Sequence, residues 1–102
     1  MPKFFLSNKA VEDLSNIWNY TYETWSENQA DKYYNLLIDS CKAISENPTI
    51  GKNYYEIDKS IYGYKTGRHI IFYITVQSVQ SNEIEVLRIL HESMDLRNKL
   101  QE

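Results

Sequence analysis

The hydrophobic period of this chain changes once, and that change limits the folds open to it. Up to Ile44 the apolar residues recur at helical spacing. After Gly51 they recur at every second position. In the first part Ala10, Leu14, Ile17, Thr21 and Trp25 follow one another at steps of three and four. Val11, Trp18 and Tyr22 widen the stripe. Such a stripe gives a helix one core-facing side. Ser7 is placed to cap it, since a serine oxygen can accept from the exposed N–H groups of a first turn. A second stripe runs through Ala30, Tyr33, Tyr34, Leu37, Cys41 and Ile44. Ser26 and Gln29 have the spacing of a capping box at its start. Pro48 ends it, because proline forces the preceding residue out of the helical region. The short link between the stripes demands an antiparallel helical hairpin.

The remainder reads as strands. "KFFL" (Lys3 to Leu6) forms a first short one, ahead of the helices. "YEID" and "IYGYK" read as a strand, or a strand with a break. "RHIIFYITV" (Arg68 to Val76) is the strongest strand signal, with Ile70, Phe72, Ile74 and Val76 on one face. Thr66-Gly67 ahead of it suits a tight hairpin turn. "QSVQSN" (Gln77 to Asn82) reads as a loop. "EIEVLRILH" carries apolar residues on both faces near its end, which places it inside a sheet. "SMDLRNKL" closes with a helical turn or two. The order is β-α-α-β-β-β with a short C-terminal helix. Strands gathered after helices predict an α+β fold, a helical hairpin packed on a mostly antiparallel sheet. The first strand is expected beside the last.

A chain of 102 residues fits one domain, residues 1–102. No apolar run approaches the roughly 20 residues that span a bilayer, and "MPKFFLSNKA" lacks the apolar stretch of a signal peptide. One cysteine, Cys41, permits no internal disulfide, so the cytoplasm is the expected compartment. The net charge is −3. Residues 1–50 hold four basic and seven acidic side chains, and residues 51–102 hold seven of each. A large cationic patch of the kind that grips nucleic acid cannot be built from this supply.

Four stretches, in this order and spacing, resemble the ParE branch of the RelE/ParE toxin superfamily. They are "FFLSNKAVEDLSNIWNYTYETW", "ISENPTIGK", "RHIIFY" and "VLRILHESMD". The resemblance implies a toxin made beside a cognate antitoxin, the protein that neutralises it. ParE-like members share a fold with RelE-like ribosome-dependent ribonucleases but are associated instead with poisoning DNA gyrase. It also implies an antitoxin of the ParD-like, ribbon-helix-helix kind. DNA would then be met only through antitoxin or gyrase, and no membrane is involved.

The residues allow two chemistries to be compared. Cleaving RNA needs a group that takes the 2′-hydroxyl proton, one that protonates the leaving oxygen, and cations at the phosphate. The candidates are Arg68, His69, Tyr73, Arg88 and His91. Against them stand Glu92 and Asp95, acids beside His91, and the lack of the tail tyrosine of the ribonucleases. The structural reading of His91 is a strand-end residue bonded to a carbonyl or to Asp95. His69 would lie at the sheet's exposed face. Arg88, between Val86 and Leu90, is expected to pair with Glu12, Asp13 or Asp95, since a lone buried charge costs several kcal/mol. The nine tyrosines carry no interleaved cations and are explained by packing. Neither histidine has metal-site company, so no metal and no cofactor is expected. The favoured expectation is a non-enzymatic protein that binds its target through an exposed tail: Arg88, His91, Met94, Asp95, Arg97 and Leu100. A bare sheet edge for the antitoxin would leave the isolated chain poorly soluble or self-associated.

Overall fold

The computed structural model describes residues 3–77 and 82–101. The elements are β1 (Lys3–Leu6), α1 (Asn8–Thr24), α2 (Glu27–Glu46), a 3-10 turn (Pro48–Ile50), β2 (Lys52–Asn53), β3 (Tyr62–Thr66), β4 (His69–Gln77), β5 (Asn82–His91) and α3 (Leu96–Leu100). The sheet order is β1-β5-β4-β3-β2. β1 lies parallel to β5, and the other pairings are antiparallel. The α+β architecture, the helical hairpin and the neighbouring first and last strands all agree with the pattern of the sequence. "YEID" does not form a strand. Its backbone is folded into turns, with Ile57 N and Asp58 N both donating to Tyr54 O. Only Lys52 and Asn53 pair with β3 ahead of it. The loop expected over Gln77–Asn82 falls largely on residues 78–81, outside the described residues, while Gln77 and Asn82 themselves pair.

The helices start as their caps dictate. Ser7 Oγ accepts from Ala10 N at 3.0 Å, and Ser26 Oγ accepts from Gln29 N at 3.1 Å. The Gln29 side chain does not return to Ser26, so the capping box is half made; it lines a cavity instead. The buried stripe is narrower than the sequence suggested. Ala10 and Leu14 of α1 and Ala30, Leu37, Cys41 and Ile44 of α2 are buried. Val11, Tyr22, Trp25 and Tyr34 are exposed, Trp25 at 72%. Helices packed on a sheet need only a stripe about 100° wide, and the flanking aromatics turn outward. Trp18 stacks on Tyr22 and donates to Asp31 across the hairpin at 3.0 Å.

The sheet is covered on both faces. Under the helices lie Ile71, Tyr73, Ile84, Val86 and Ile89, with Leu14, Leu37, Cys41 and Ile44 above them. On the opposite face Ile61, Ile70, Phe72 and Leu90 form a second cluster, closed by Tyr54, Leu96 and Leu100. Ile70, Phe72 and Ile74 do share a face, but it is this second one. The cover comes from the 54–61 loop and α3, which Arg97 joins by donating to Glu56 O at 2.8 Å. Cys41, buried in apolar surroundings, has its thiol pushed up to about 12 and stays protonated.

One irregularity decides what the end of β5 presents. Phe72 pairs with Arg88 and Tyr73 with Val86, so Leu87 is an extra residue in β5. A bulge of this kind reverses the alternation beyond it. Val86 and Ile89, rather than Val86 and Arg88, therefore face the helices. His91 then emerges on the helix side as well, edge-on to His69.

Candidate functional site

At the bulge, backbone groups that no longer serve the ladder need other partners. α1 and the residue before it supply them. Ser7 N donates to Val86 O at 2.9 Å, and Ser7 Oγ donates to Leu87 O at 2.7 Å. Asp13 Oδ2 accepts from Ile89 N at 2.9 Å. The same carboxylate holds the Arg88 guanidinium in a two-pronged pair, Nε to Oδ2 at 2.8 Å and Nη2 to Oδ1 at 3.0 Å. Arg88 Nη1 reaches Lys99 O at 2.8 Å. Both side chains are nearly buried, at 13% and 11% exposure. Of the three partners expected for Arg88, Asp13 is the one it takes. One carboxylate and one guanidinium thus tie α1, β5 and α3 together.

The tail is docked rather than free. Leu96 and Leu100 pack on the second cluster, which buries grease that the sequence pattern left for a partner. Asp95 caps α3, accepting from Asn98 N and from Asn98 Nδ2. It therefore does not bond His91, whose Nδ1 meets Ser93 Oγ at 2.7 Å and accepts from Ser93 N at 3.1 Å. Among the expected target-binding residues Met94 is exposed at 43%, with Asp95 and Arg97 also exposed, while Arg88 is held inside.

Of the five residues suited to RNA cleavage, Tyr73 and Arg88 lie apart from the other three. The Tyr73 hydroxyl donates to Pro48 O at 2.6 Å and accepts from Gly51 N at 3.1 Å, within the core beneath the helices. Arg88 is engaged by Asp13. Arg68, His69 and His91 do meet, at the open end of the helical hairpin. There they line a cavity of about 520 Å³ with Tyr33, Lys32 and Trp25. His69 is not on an exposed face, because it sits half-buried below Tyr33. The Tyr33 hydroxyl and His69 Nδ1 are hydrogen-bonded at 2.6 Å. The same hydroxyl accepts from Arg68 N at 3.2 Å and lies 3.3 Å from Thr66 O. The His69 and His91 rings meet edge to face, their centroids 5.3 Å apart. Sequence reasoning missed Tyr33 as part of this group, since the helical stripe assigned it to packing. Its neighbour Gly67 was the available signal: that glycine adopts φ +59, and its open side is filled by the Tyr33 ring.

Burial pulls the His69 pKa down from its ordinary 6.5 to about 4, with the charge of His91 acting in the same direction and Asp13 and Glu92 against it. Burial likewise raises Tyr33. Glu92 is held low by its bond from Lys65, at 2.8 Å. His69 is accordingly neutral in the folded protein at neutral pH. Its linkage has a definite sign: unfolded chains take up a proton at His69 below 6.5, folded ones only below about 4. Stability contributed here is complete above 6.5 and is lost as the pH falls towards 4. The ceiling, at about 1.4 kcal/mol per pKa unit, is roughly 3 kcal/mol; solvent screening at a half-buried ring should leave about 1–2 kcal/mol. Denaturant titrations across that window should show this slope in the native chain and lack it in His69→Gln.

No group of three His, Cys, Asp or Glu side chains among the described residues could hold a metal ion. No helix among them is long and apolar enough to cross a membrane.

A hairpin on a five-stranded sheet, with a bulged last strand and a docked tail, defines a small α+β fold. A solved chain described as "Chromosomal ParDE TA system from P. aeruginosa" superimposes with a TM-score of 0.70 at 17% identity, covering 89% of this chain and 96% of that one. Residues 4–96 match the family described as ParE toxin of type II toxin-antitoxin system, parDE. Toxin ParE1 of Mycobacterium tuberculosis is 32% identical over 98 residues, 96% of this chain and 97% of that protein. Toxin ParE1 of Caulobacter vibrioides is 30% identical over 100 residues, 98% and 99% of the two chains. The chain belongs to the ParE toxin family of the RelE/ParE superfamily, and is the toxin component of a type II toxin-antitoxin system. Its partner is accordingly a cognate antitoxin.

Proposed function

We propose that this toxin acts by binding DNA gyrase, or a related type II topoisomerase, and not by catalysis. One observation supports this reading above the others. The residues a nuclease would recruit are divided, with Tyr73 spent on Pro48 and Gly51, and Arg88 spent on Asp13. General acid–base cleavage needs its cations and proton carriers around one phosphate. The contact surface in this proposal is the tail, with Met94, Asp95, Arg97 and His91 outward and Arg88 and Leu100 holding it in place. The antitoxin is proposed to be a ParD-like ribbon-helix-helix protein with an extended segment. That segment would add to the free edge of β1, where Phe5 is exposed at 51%.

A second reading, ribosome-dependent cleavage of mRNA, draws on the meeting of both imidazoles beside Arg68 in one open cavity. Two assays on the purified chain separate the two. Loss of gyrase supercoiling with ribosome-bound message left intact is the expected result. Met94→Glu should weaken that inhibition by at least about tenfold, as removal of an interface anchor does, without moving the melting temperature. Unimpaired supercoiling together with message cutting that His91→Ala abolishes would replace the first reading with the second.

A further inference from the structure

Apart from His91, the residues lining the cavity at the open end of the hairpin take no part in the proposed gyrase or antitoxin contacts. Its walls come from the end of α1, the first turns of α2, the β3–β4 turn and the last residue of β5. Two exposed aromatics, Tyr20 at 68% and Trp25 at 72%, stand at its mouth. Isolated exposed aromatics are ordinary; aromatics that line a concave space beside cations are not. Lys32 is exposed there, and the Arg68 side chain is 79% exposed, its nearest carboxylate oxygen on Glu92 at 3.9 Å. That glutamate is already engaged by Lys65 at 2.8 Å. The chain as a whole carries −3, so two cations facing one cavity run against its average. Below them the rings of Tyr33, His69 and His91 pack against one another as an aromatic floor.

We propose that this cavity binds a planar aromatic ring carrying one phosphate, a ligand of nucleoside monophosphate size. The ring stacks on Trp25 or Tyr20, and the phosphate lies between Arg68 and Lys32. A volume of about 520 Å³ accommodates such a ligand, and ligand cavities commonly begin near 300 Å³. Base stacking on an exposed aromatic and a phosphate set against guanidinium and ammonium groups are each strong, separable contributions. Neither depends on which protein the toxin poisons. A free nucleotide and the terminal residue of a nucleic-acid strand present the same chemistry, and the test separates them.

The test is calorimetric titration of the full chain with AMP and UMP. Adenosine, inorganic phosphate and a short, terminally phosphorylated single-stranded oligonucleotide are run in parallel. At least one nucleotide should bind saturably at one site per chain. Adenosine and inorganic phosphate should each be weaker by at least about tenfold. Arg68→Ala and Trp25→Ala should each cost at least about tenfold, and Trp25→Phe should retain most of the affinity. Both side chains are exposed, so circular dichroism should show these variants folded. An oligonucleotide that binds more tightly than the nucleotides assigns the site to a strand end, and equal or weaker binding assigns it to the free nucleotide. The proposal is overturned if neither nucleotide saturates, if adenosine or phosphate alone matches them, or if Arg68→Ala and Trp25→Ala leave binding unchanged.

Discussion

Replacing Arg88 by methionine should destabilise the protein by about 3–5 kcal/mol, the usual result of stranding one member of a buried ion pair. The methionine fills similar volume, so the loss is not mainly one of packing. It comes from Asp13, left nearly buried at 11% exposure with its charge uncompensated. For a domain of about a hundred residues this is a fall in melting temperature on the order of 15 °C or more. The double variant Asp13→Asn/Arg88→Met should recover most of that loss. No charge remains inside, and the asparagine oxygen can still accept from Ile89 N, the bulge N–H that Asp13 now serves. Asp13→Leu/Arg88→Met should recover less, since that N–H is then left without its acceptor. A silent Arg88→Met, or a double variant no better than the single one, would show that the pair does not organise the bulge.

That pair also shows how far the sequence could be read. Arg88 between apolar residues required an acid, and the three candidates included the right one. The consequence was hidden, because it depends on Leu87 being a supernumerary residue in β5. Period-two reading places Val86, Arg88 and Leu90 on one face, and a single inserted residue divides them between two. For the same reason the meeting of His91 with His69 could not be read from spacing. The elements themselves were legible: two caps, two stripes, Pro48, and a β-rich run after Gly51. Their exposure was less so. Trp25 and Tyr34 fit the helical stripes by number but fall outside the narrow zone that a sheet can cover. "YEID" has alternating polarity, yet its backbone closes on Tyr54 O and never reaches β3. The tail looked free because its leucines had no visible partner; Ile61, Ile70, Phe72 and Leu90 provide one on the sheet's second face. These are long-range facts, and local periodicity carries no information about them.

The β3–β4 turn joins local chemistry to the cavity, and Gly67→Ala should therefore disturb both. Thr66 pairs with His69, so Gly67 and Arg68 are the two turn residues. Gly67 has φ +59, and no other described residue has a positive φ. A glycine with positive φ at the first turn position suits a type II′ hairpin, whose twist matches the strands. An alanine there pays the left-handed penalty of about 1–2 kcal/mol. Its Cβ would also stand 2.7 Å from the Tyr33 hydroxyl and 2.8 Å from Tyr33 Cε1. The ring cannot swing aside cheaply, because its hydroxyl is bound to His69 Nδ1 and to Arg68 N. The expected total is about 2–4 kcal/mol, combining backbone strain with overpacking. Chemical denaturation of Gly67→Ala, Tyr33→Phe and the double variant separates the two parts. Without the hydroxyl the ring loses the two bonds that hold it and can swing off the Cβ, which relieves the steric part and leaves the backbone part, so the double variant should lie closer to Tyr33→Phe than additivity allows. Strict additivity would mean that the turn and the Tyr33–His69 contact are independent, and that Gly67 serves the hairpin alone.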